Sequence, residues 1–161
     1  MGPRWILFAY LFFVAMSATL LLTDLDHKRI PNRITYPGTP IAAVLLMAGA
    51  ALDGTASLIP RALAAAAVYT LSFFVVYLVA RGGFGFGDVK LAVSLGLFTG
   101  FLGWDRLLLS GMLTAAAGGV IALLAILFGR AGARTEIPYG PPMIIGALGA
   151  IIFGGPPIGL G

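Results

Sequence analysis

Six apolar runs, at about 4–23, 37–53, 59–80, 89–104, 106–128 and 138–160, follow one another with only short polar connectors between them. Crossing a hydrocarbon core of about 30 Å takes roughly 17–25 helical residues. A backbone inside lipid must also satisfy its own hydrogen bonds, which a single segment does only as a helix. Hydrophobic residues make up 60% of the 161 positions and charged residues 10%, more apolar side chain than a soluble domain of this length can bury. The expected fold is therefore an all-α integral membrane protein, a bundle of about six transmembrane helices, give or take one. The second and fourth runs are short. The last carries Gly146, Gly149, Gly154, Gly155, Pro156 and Pro157, so its end is expected to stop short of a full span. No period of 20–50 residues repeats and no hydrophilic stretch is long enough to fold alone, so residues 1–161 read as one membrane-embedded domain.

The connectors alternate in basic content. Lys28, Arg29, Arg33, Arg81, Lys90, Arg130 and Arg134 fall on one side, and Arg4, Arg61 and Arg106 on the other. Seven against three, counted in short loops near helix ends, assigns the first side to the cytoplasm and both termini to the outside. Arg4 before an apolar stretch, followed by the small residues Ala15, Ser17 and Ala18, imitates a secretory signal. The run exceeds the 7–15 residues usual for a signal core, and it reads as the first membrane helix. The basic residues, net charge +4, are scattered singly and not gathered with stacking aromatics, which argues against a nucleic-acid partner. The chain has no cysteine, which excludes disulfides, thiolate metal sites and cysteine nucleophiles. With one histidine, His27, there is no histidine cluster for a metal either, and a solvated loop residue is the simpler reading of it. Neither cofactor nor metal is expected. Small residues at helix-packing spacing, Gly96 with Gly100, Ala115 with Gly119, and the run from Ala64 to Ala67, are expected to sit where helices touch.

Six acids in the whole chain make each one informative, because a carboxylate in a membrane span costs roughly 2.5 kcal/mol or more unless something offsets it. Asp24 and Asp88 end separate apolar segments on the same face. The first connector reads Asp24-Leu25-Asp26-His27-Lys28-Arg29-Ile30-Pro31-Asn32. Asp24 is expected where the first helix ends, where the helix dipole disfavours another negative charge. The third connector, Gly82-Gly83-Phe84-Gly85-Phe86-Gly87-Asp88, runs directly into the fourth helix. Asp88 is expected to be the N-cap of that helix, where unpaired backbone amides and the positive dipole end favour its ionised form. Two carboxyls close enough to share a proton cannot both ionise near neutrality, which makes one an acid and the other a base. Glycines on both sides of Phe86 leave room for an extended peptide to pass the acid. A phosphate cradle fits poorly, since the loop lacks the Gly-Lys-Ser/Thr ending.

These residues resemble the type IV prepilin peptidases and their archaeal preflagellin relatives, membrane aspartic proteases of the GxGD class. Asp24 followed by Ile30-Pro31-Asn32 resembles the first catalytic block, Gly85-Phe86-Gly87-Asp88-Val89-Lys90-Leu91 the second, and Glu136-Ile137-Pro138-Tyr139-Gly140-Pro141 the third. The resemblance implies an aspartic endopeptidase that removes the short basic leader of prepilin-like or preflagellin-like proteins, with Asp24 and Asp88 as its catalytic pair. It also implies a multi-pass protein of the inner (cytoplasmic) membrane with the active site facing the cytoplasm, and as partners the protein substrate and the lipid bilayer. The longer bacterial members add a cysteine-bearing cytoplasmic segment and an N-methylating activity. This sequence has no cysteines, so methylation, a methyl donor and zinc are not carried over, and it resembles the short stand-alone form.

Simpler readings compete at several positions. Asp26, two residues from Asp24, reads as a solvated acid or a partner of Lys28 or Arg29. Lys90 reads equally well as a neighbour of Asp88 and as an anchor to lipid phosphate. Glu136 reads as a contact to a basic leader or as a partner of Arg134. Asp53 and Asp105 read as boundary residues on the outer side, and Trp5 and Trp104 as interfacial anchors. A small proton-coupled transporter would place acids deep within spans and repeat a broken-helix pair in two halves, whereas these acids sit at segment ends. A non-catalytic component of a pilus or secretion assembly would need neither acid.

Overall fold

The computed structural model of the chain describes residues 4–27, 32–79, 85–128 and 139–154. Those residues form six α-helices: α1 (Ile6–His27), α2 (Asn32–Leu52), α3 (Ile59–Val79), α4 (Phe86–Leu102), α5 (Trp104–Leu127) and α6 (Gly140–Phe153). One turn of 3-10 helix, Ala56–Leu58, precedes α3. No strand occurs among the described residues. Four apolar windows, Ile6–Thr23, Thr35–Leu52, Ala56–Val79 and Trp104–Leu124, are long enough to cross a bilayer, and only 22–33% of each is buried inside the bundle. Large apolar side chains such as Leu11, Leu22, Leu71, Met112 and Leu123 therefore line the outer surface, as an all-α membrane protein requires.

The first two helix boundaries differ from the sequence expectation. α1 continues through residues 24–27, which carry two acids and a histidine, and α2 begins at Asn32 despite Pro37 and Pro40 inside it. Each of these prolines lacks one ladder donor, a local loss that packing against α1 and α4 outweighs. The fourth helix is short, 17 residues, and most of its side chains are buried, from Val89 and Leu91 to Phe98 and Phe101. The sixth, 14 residues, falls short of a full span, as its glycines and prolines suggest.

Helix α4 is the axis on which the others pack. Phe13 of α1 stacks on Phe98 with ring centroids 4.3 Å apart, and Tyr10 meets the same ring edge-on at 5.1 Å. The Tyr10 hydroxyl also donates to the Phe98 carbonyl at 3.0 Å. These contacts join the beginning of α1 to the end of α4, so the two helices are antiparallel. On the opposite flank Gly96 lets α4 approach α3: a Cβ there would lie 2.9 Å from the Ala66 Cα and 2.8 Å from the Tyr69 Cβ. Gly100 faces Ala65 in the same way, so the Gly96–Gly100 pair does pack helices. The pair expected in α5 is displaced by one residue. Ala115 and Gly119 are exposed and nothing lies near Gly119, whereas Thr114 faces Gly146 of α6 and Gly118 faces the phenol of Tyr139. Helix pitch explains the shift, because one residue turns a helix face by about 100°.

The end of the bundle that holds Trp5 and Trp104 is fastened by polar side chains aimed at helix termini. The two oxygens of Asp53, just beyond α2, accept from the backbone amides of Trp5 and Ile6 at 2.9 Å each and so cap α1. Arg61 donates to the carbonyls of Gly100 and Phe101, at 3.2 and 2.7 Å, which are among the free carbonyls ending α4. Arg106, buried, pairs with Asp105 at 3.1 Å and donates to the Ala150 carbonyl of α6 at 3.0 Å. Asp53 and Asp105 thus hold specific partners and do more than mark a boundary. Replacing Asp53 with alanine removes both cap bonds and is expected to cost about 1 kcal/mol, read as a lowered thermal unfolding midpoint in detergent.

Candidate functional site

At the opposite end of the bundle, the start of α4 rests on Gly85, whose extended backbone (φ −79°, ψ 139°) makes it the residue that caps the helix. Asp88 is therefore the third residue inside α4 and not its N-cap. Its amide donates to the Gly85 carbonyl at 3.1 Å. Its carboxylate folds back over the cap, so a Cβ added at Gly85 would come within 3.3 Å of Oδ2. An acid three residues past the cap still lies at the positive end of the helix dipole and faces its free amides. Asp88 is 5% exposed, a buried acid in a membrane bundle.

Around it three helices bring aromatic rings to the same level. Phe86 meets Tyr77 of α3 edge-on at 5.5 Å. Lys90 lies over the ring of Tyr36 of α2, with Nζ 4.3 Å from the centroid, and 5.1 Å from the Phe86 centroid. The Lys90 ammonium also donates to the Tyr36 hydroxyl at 3.0 Å. Lys90 is thus clasped between α2 and α4, a placement of the kind a cation takes over an aromatic face. Farther into the bundle the hydroxyls of Thr39 and Ser94 lie 3.3 Å apart, so α2 and α4 run parallel, and the start of α2 shares a level with the start of α4.

Asp24 belongs to the last turn of α1, and the side chains of residues 24–27 lie outside the described residues. Its helix position follows from the backbone. From the stacked pair Phe13–Phe98, position 24 is eleven residues onward along α1, a rise of roughly 16 Å, and position 88 is ten residues back along α4, roughly 15 Å. Because the helices are antiparallel, both displacements point the same way and the two positions reach the same level. Rotation adds a second constraint. The buried stripe of α1 runs through Ala9, Phe13, Ser17 and Leu20, and at 100° per residue position 24 lies within about 20° of Phe13. Position 26 continues instead the exposed stripe of Leu11, Ala15, Ala18 and Leu22.

The third block is described only from Tyr139 onward. Tyr139 ends the approach to α6, and Gly140, Pro141 and Pro142 form its first turn, where a proline sacrifices no helix bond. All three are buried, and α6 starts beside Gly118, nine residues before α5 ends. Glu136, Ile30, Pro31, Gly82, Gly83 and Phe84, and the loop cations Lys28, Arg29, Arg81, Arg130 and Arg134, lie outside the described residues. Among the described residues no three of His, Cys, Asp and Glu gather as metal ligands. Tyr36 and Tyr77 are not marked by any sequence pattern, because their part in the site comes from helix pairing. Tyr36 stands just before Pro37, in a stretch that reads as connector.

A family model described as the type IV leader peptidase family matches residues 11–155. Among curated proteins, a prepilin leader peptidase/N-methyltransferase of Burkholderia pseudomallei (strain 1026b) is 33% identical over 150 residues, which cover 89% of this chain and 44% of that protein. Proteins of the same description from Stutzerimonas stutzeri and Bacillus subtilis (strain 168) are each 28% identical, over 95% and 92% of this chain and 52% and 56% of their own lengths. The chain thus spans about half the length of these relatives. No solved structure matches it.

Proposed function

The chain belongs to the type IV leader peptidase family, and from that premise we propose that it is a membrane aspartic endopeptidase that cuts the short basic leader from prepilin-like proteins, with Asp24 and Asp88 as its catalytic pair. The observation that carries this reading is Asp88, a buried carboxylate in the first turn of the central helix, level with the α1 position that continues the buried face. The family supports a peptidase acting on a prepilin leader. The aspartic mechanism, the pair of residues and the membrane face are the finer parts of the proposal.

In the mechanism, one carboxylate draws a proton from a water molecule while the other, protonated, donates to the carbonyl oxygen of the scissile peptide. The water oxygen bonds to the carbonyl carbon, the carbon–nitrogen bond breaks, and the departing nitrogen takes up a proton to leave as an amine. Water is consumed and no covalent enzyme intermediate forms. Burial of Asp88 suits this role, because charges interact more strongly in a low-dielectric surrounding than in water. The basic loops at this end support a cytoplasmic site by the positive-inside bias, which also suits a leader lying outside the membrane before the substrate's apolar segment. Of the two activities in the relatives' names, these residues supply chemistry for hydrolysis.

The test is leader removal from a prepilin-like substrate by wild-type protein and by Asp24→Asn and Asp26→Asn at equal expression. Asparagine keeps the shape and removes the ionisation. Asp24→Asn is expected to lose activity by a factor of about 10²–10⁴ and Asp26→Asn to keep it. Equal activity in Asp24→Asn and wild type sinks the pair as assigned, and loss in Asp26→Asn alone moves the second acid to that position.

A further inference from the structure

Helix α2 carries two prolines in its first half, Pro37 and Pro40. Proline has no amide to give, so the ladder bonds from position 37 to the carbonyl of position 33 and from position 40 to that of position 36 do not exist. Each ring also crowds the carbonyl it fails to bond, and the residue before a proline, here Tyr36, is pushed away from the helical region. The first turn of α2, from Asn32 to Tyr36, is therefore weakly tied to the body of its own helix. At that turn the fold supplies a tie from outside. The Lys90 ammonium donates to the Tyr36 hydroxyl at 3.0 Å, and it lies 4.3 Å from the Tyr36 ring centroid and 5.1 Å from that of Phe86. Phe86 in turn meets Tyr77 in the last turn of α3.

We propose that Lys90 is a positioning residue for the catalytic pair: through Tyr36 it pins the proline-interrupted start of α2, and so keeps the Asp24 turn of α1 level with Asp88. The inference rests on the peptidase reading above. The link to Asp24 is covalent. His27 ends α1 three residues after Asp24, and Asn32 opens α2 after four intervening residues, so a shift in the first turn of α2 pulls on the turn that carries Asp24. Thr35 is buried and seats this first turn in the core, while Lys90 holds it from the outer side, where Tyr36 is 63% exposed. The Thr39–Ser94 hydroxyl pair also joins α2 to α4, but it lies on the far side of Pro37, in the body of the helix. Lys90 follows Asp88 by two residues and so leaves α4 about 200° around the helix from it. Its cation serves the reaction by way of Tyr36 and α2.

The experiment measures kcat and KM on a prepilin-like substrate for Lys90→Met, which keeps the length and removes the charge, for Tyr36→Ala and for the double variant. Each single variant is expected to lower kcat about tenfold with KM unchanged, since misplacing a catalytic group by about an ångström costs up to about 10² in rate. The double variant is expected to be no worse than either alone, because both residues act through one contact. Lys90→Arg, which also sets a cation over aromatic rings, is expected to keep kcat within about threefold of wild type. Tyr36→Phe, which loses only the hydroxyl, serves if Tyr36→Ala fails to fold and is expected to lower kcat about threefold. A second readout needs no substrate. The chain has no cysteine, so spin labels go cleanly on Leu22→Cys in α1 and Val75→Cys in α3, both exposed, and the distance distribution between them is expected to widen in Tyr36→Ala. Wild-type cutting by Tyr36→Ala overturns the clasp whatever Lys90→Met does, for the cation then acts by its charge or on lipid. Loss through KM alone, or losses that multiply in the double variant, overturn it as well. A wild type that cuts no prepilin-like substrate overturns the peptidase reading, and the labels still judge the clasp: a distribution as narrow in Tyr36→Ala as in wild type overturns it.

Discussion

Asp88→Asn is expected to reduce leader cleavage by a factor of about 10²–10⁴, the contribution of a positioned acid–base group, while leaving the protein folded. The two halves of this expectation come from the same geometry. The side chain is 5% exposed at the start of α4, a place where a carboxylate carries a desolvation cost that only function or strong local bonding justifies. Asparagine has the same shape and keeps one oxygen as a hydrogen-bond acceptor. It forfeits a charge–dipole attraction of about 0.3–1 kcal/mol and is spared the cost of burying a charge, so the net change in stability is small. Cleavage, by contrast, needs a group that exchanges a proton, which an amide does not. Asp88→Glu separates position from charge. It keeps the carboxylate but displaces it by a methylene, roughly an ångström, and a misplacement of that size costs on the order of 10² in rate. Near-wild-type cleavage by Asp88→Asn, with thermal unfolding unchanged, ends the aspartic assignment at this position.

The six helices are legible in the sequence because lipid leaves a spanning chain few options, and run length alone therefore counts the helices. Their ends are less legible. Residues 24–27 are polar enough to read as a loop, yet α1 runs through them. The second apolar run starts at residue 37, yet α2 begins at Asn32 and carries Pro37 and Pro40 inside it. These errors matter at the site, for with Asp24 inside a helix its register separates it from Asp26, a distinction a loop cannot give. At Asp88 the glycines mark the start of α4, but the cap falls on Gly85, three residues earlier than expected, because glycine itself takes the extended cap conformation. The contacts of Lys90 with Tyr36, of Asp53 with the α1 amides, and of Arg61 with the end of α4 join residues about 40 to 54 positions apart. No local pattern announces such pairs, which depend on which helices become neighbours.

Gly96→Leu is expected to destabilise the fold by about 3 kcal/mol, the upper end of what overpacking a filled interior costs. A Cβ at this position would already stand 2.9 Å from the Ala66 Cα and 3.1 Å from the Ala65 carbonyl oxygen, backbone atoms that yield only if the whole of α3 moves. The third obstacle, the Tyr69 Cβ at 2.8 Å, carries the damage farther. The Tyr69 hydroxyl lies 3.1 Å from that of Ser110 and 3.4 Å from that of Thr114, so pushing Tyr69 outward breaks a buried polar seam between α3 and α5. Thr114 in turn packs against Gly146, which places α6 next in line. Gly119→Leu on α5 makes the same chemical change where nothing lies within 4 Å, and there the better helix propensity of leucine is expected to leave stability unchanged or raise it by up to about 1 kcal/mol. Thermal unfolding of both variants in one detergent compares them directly. If Gly96→Leu unfolds at the same temperature as Gly119→Leu, the close approach of α3 to α4 is wrong.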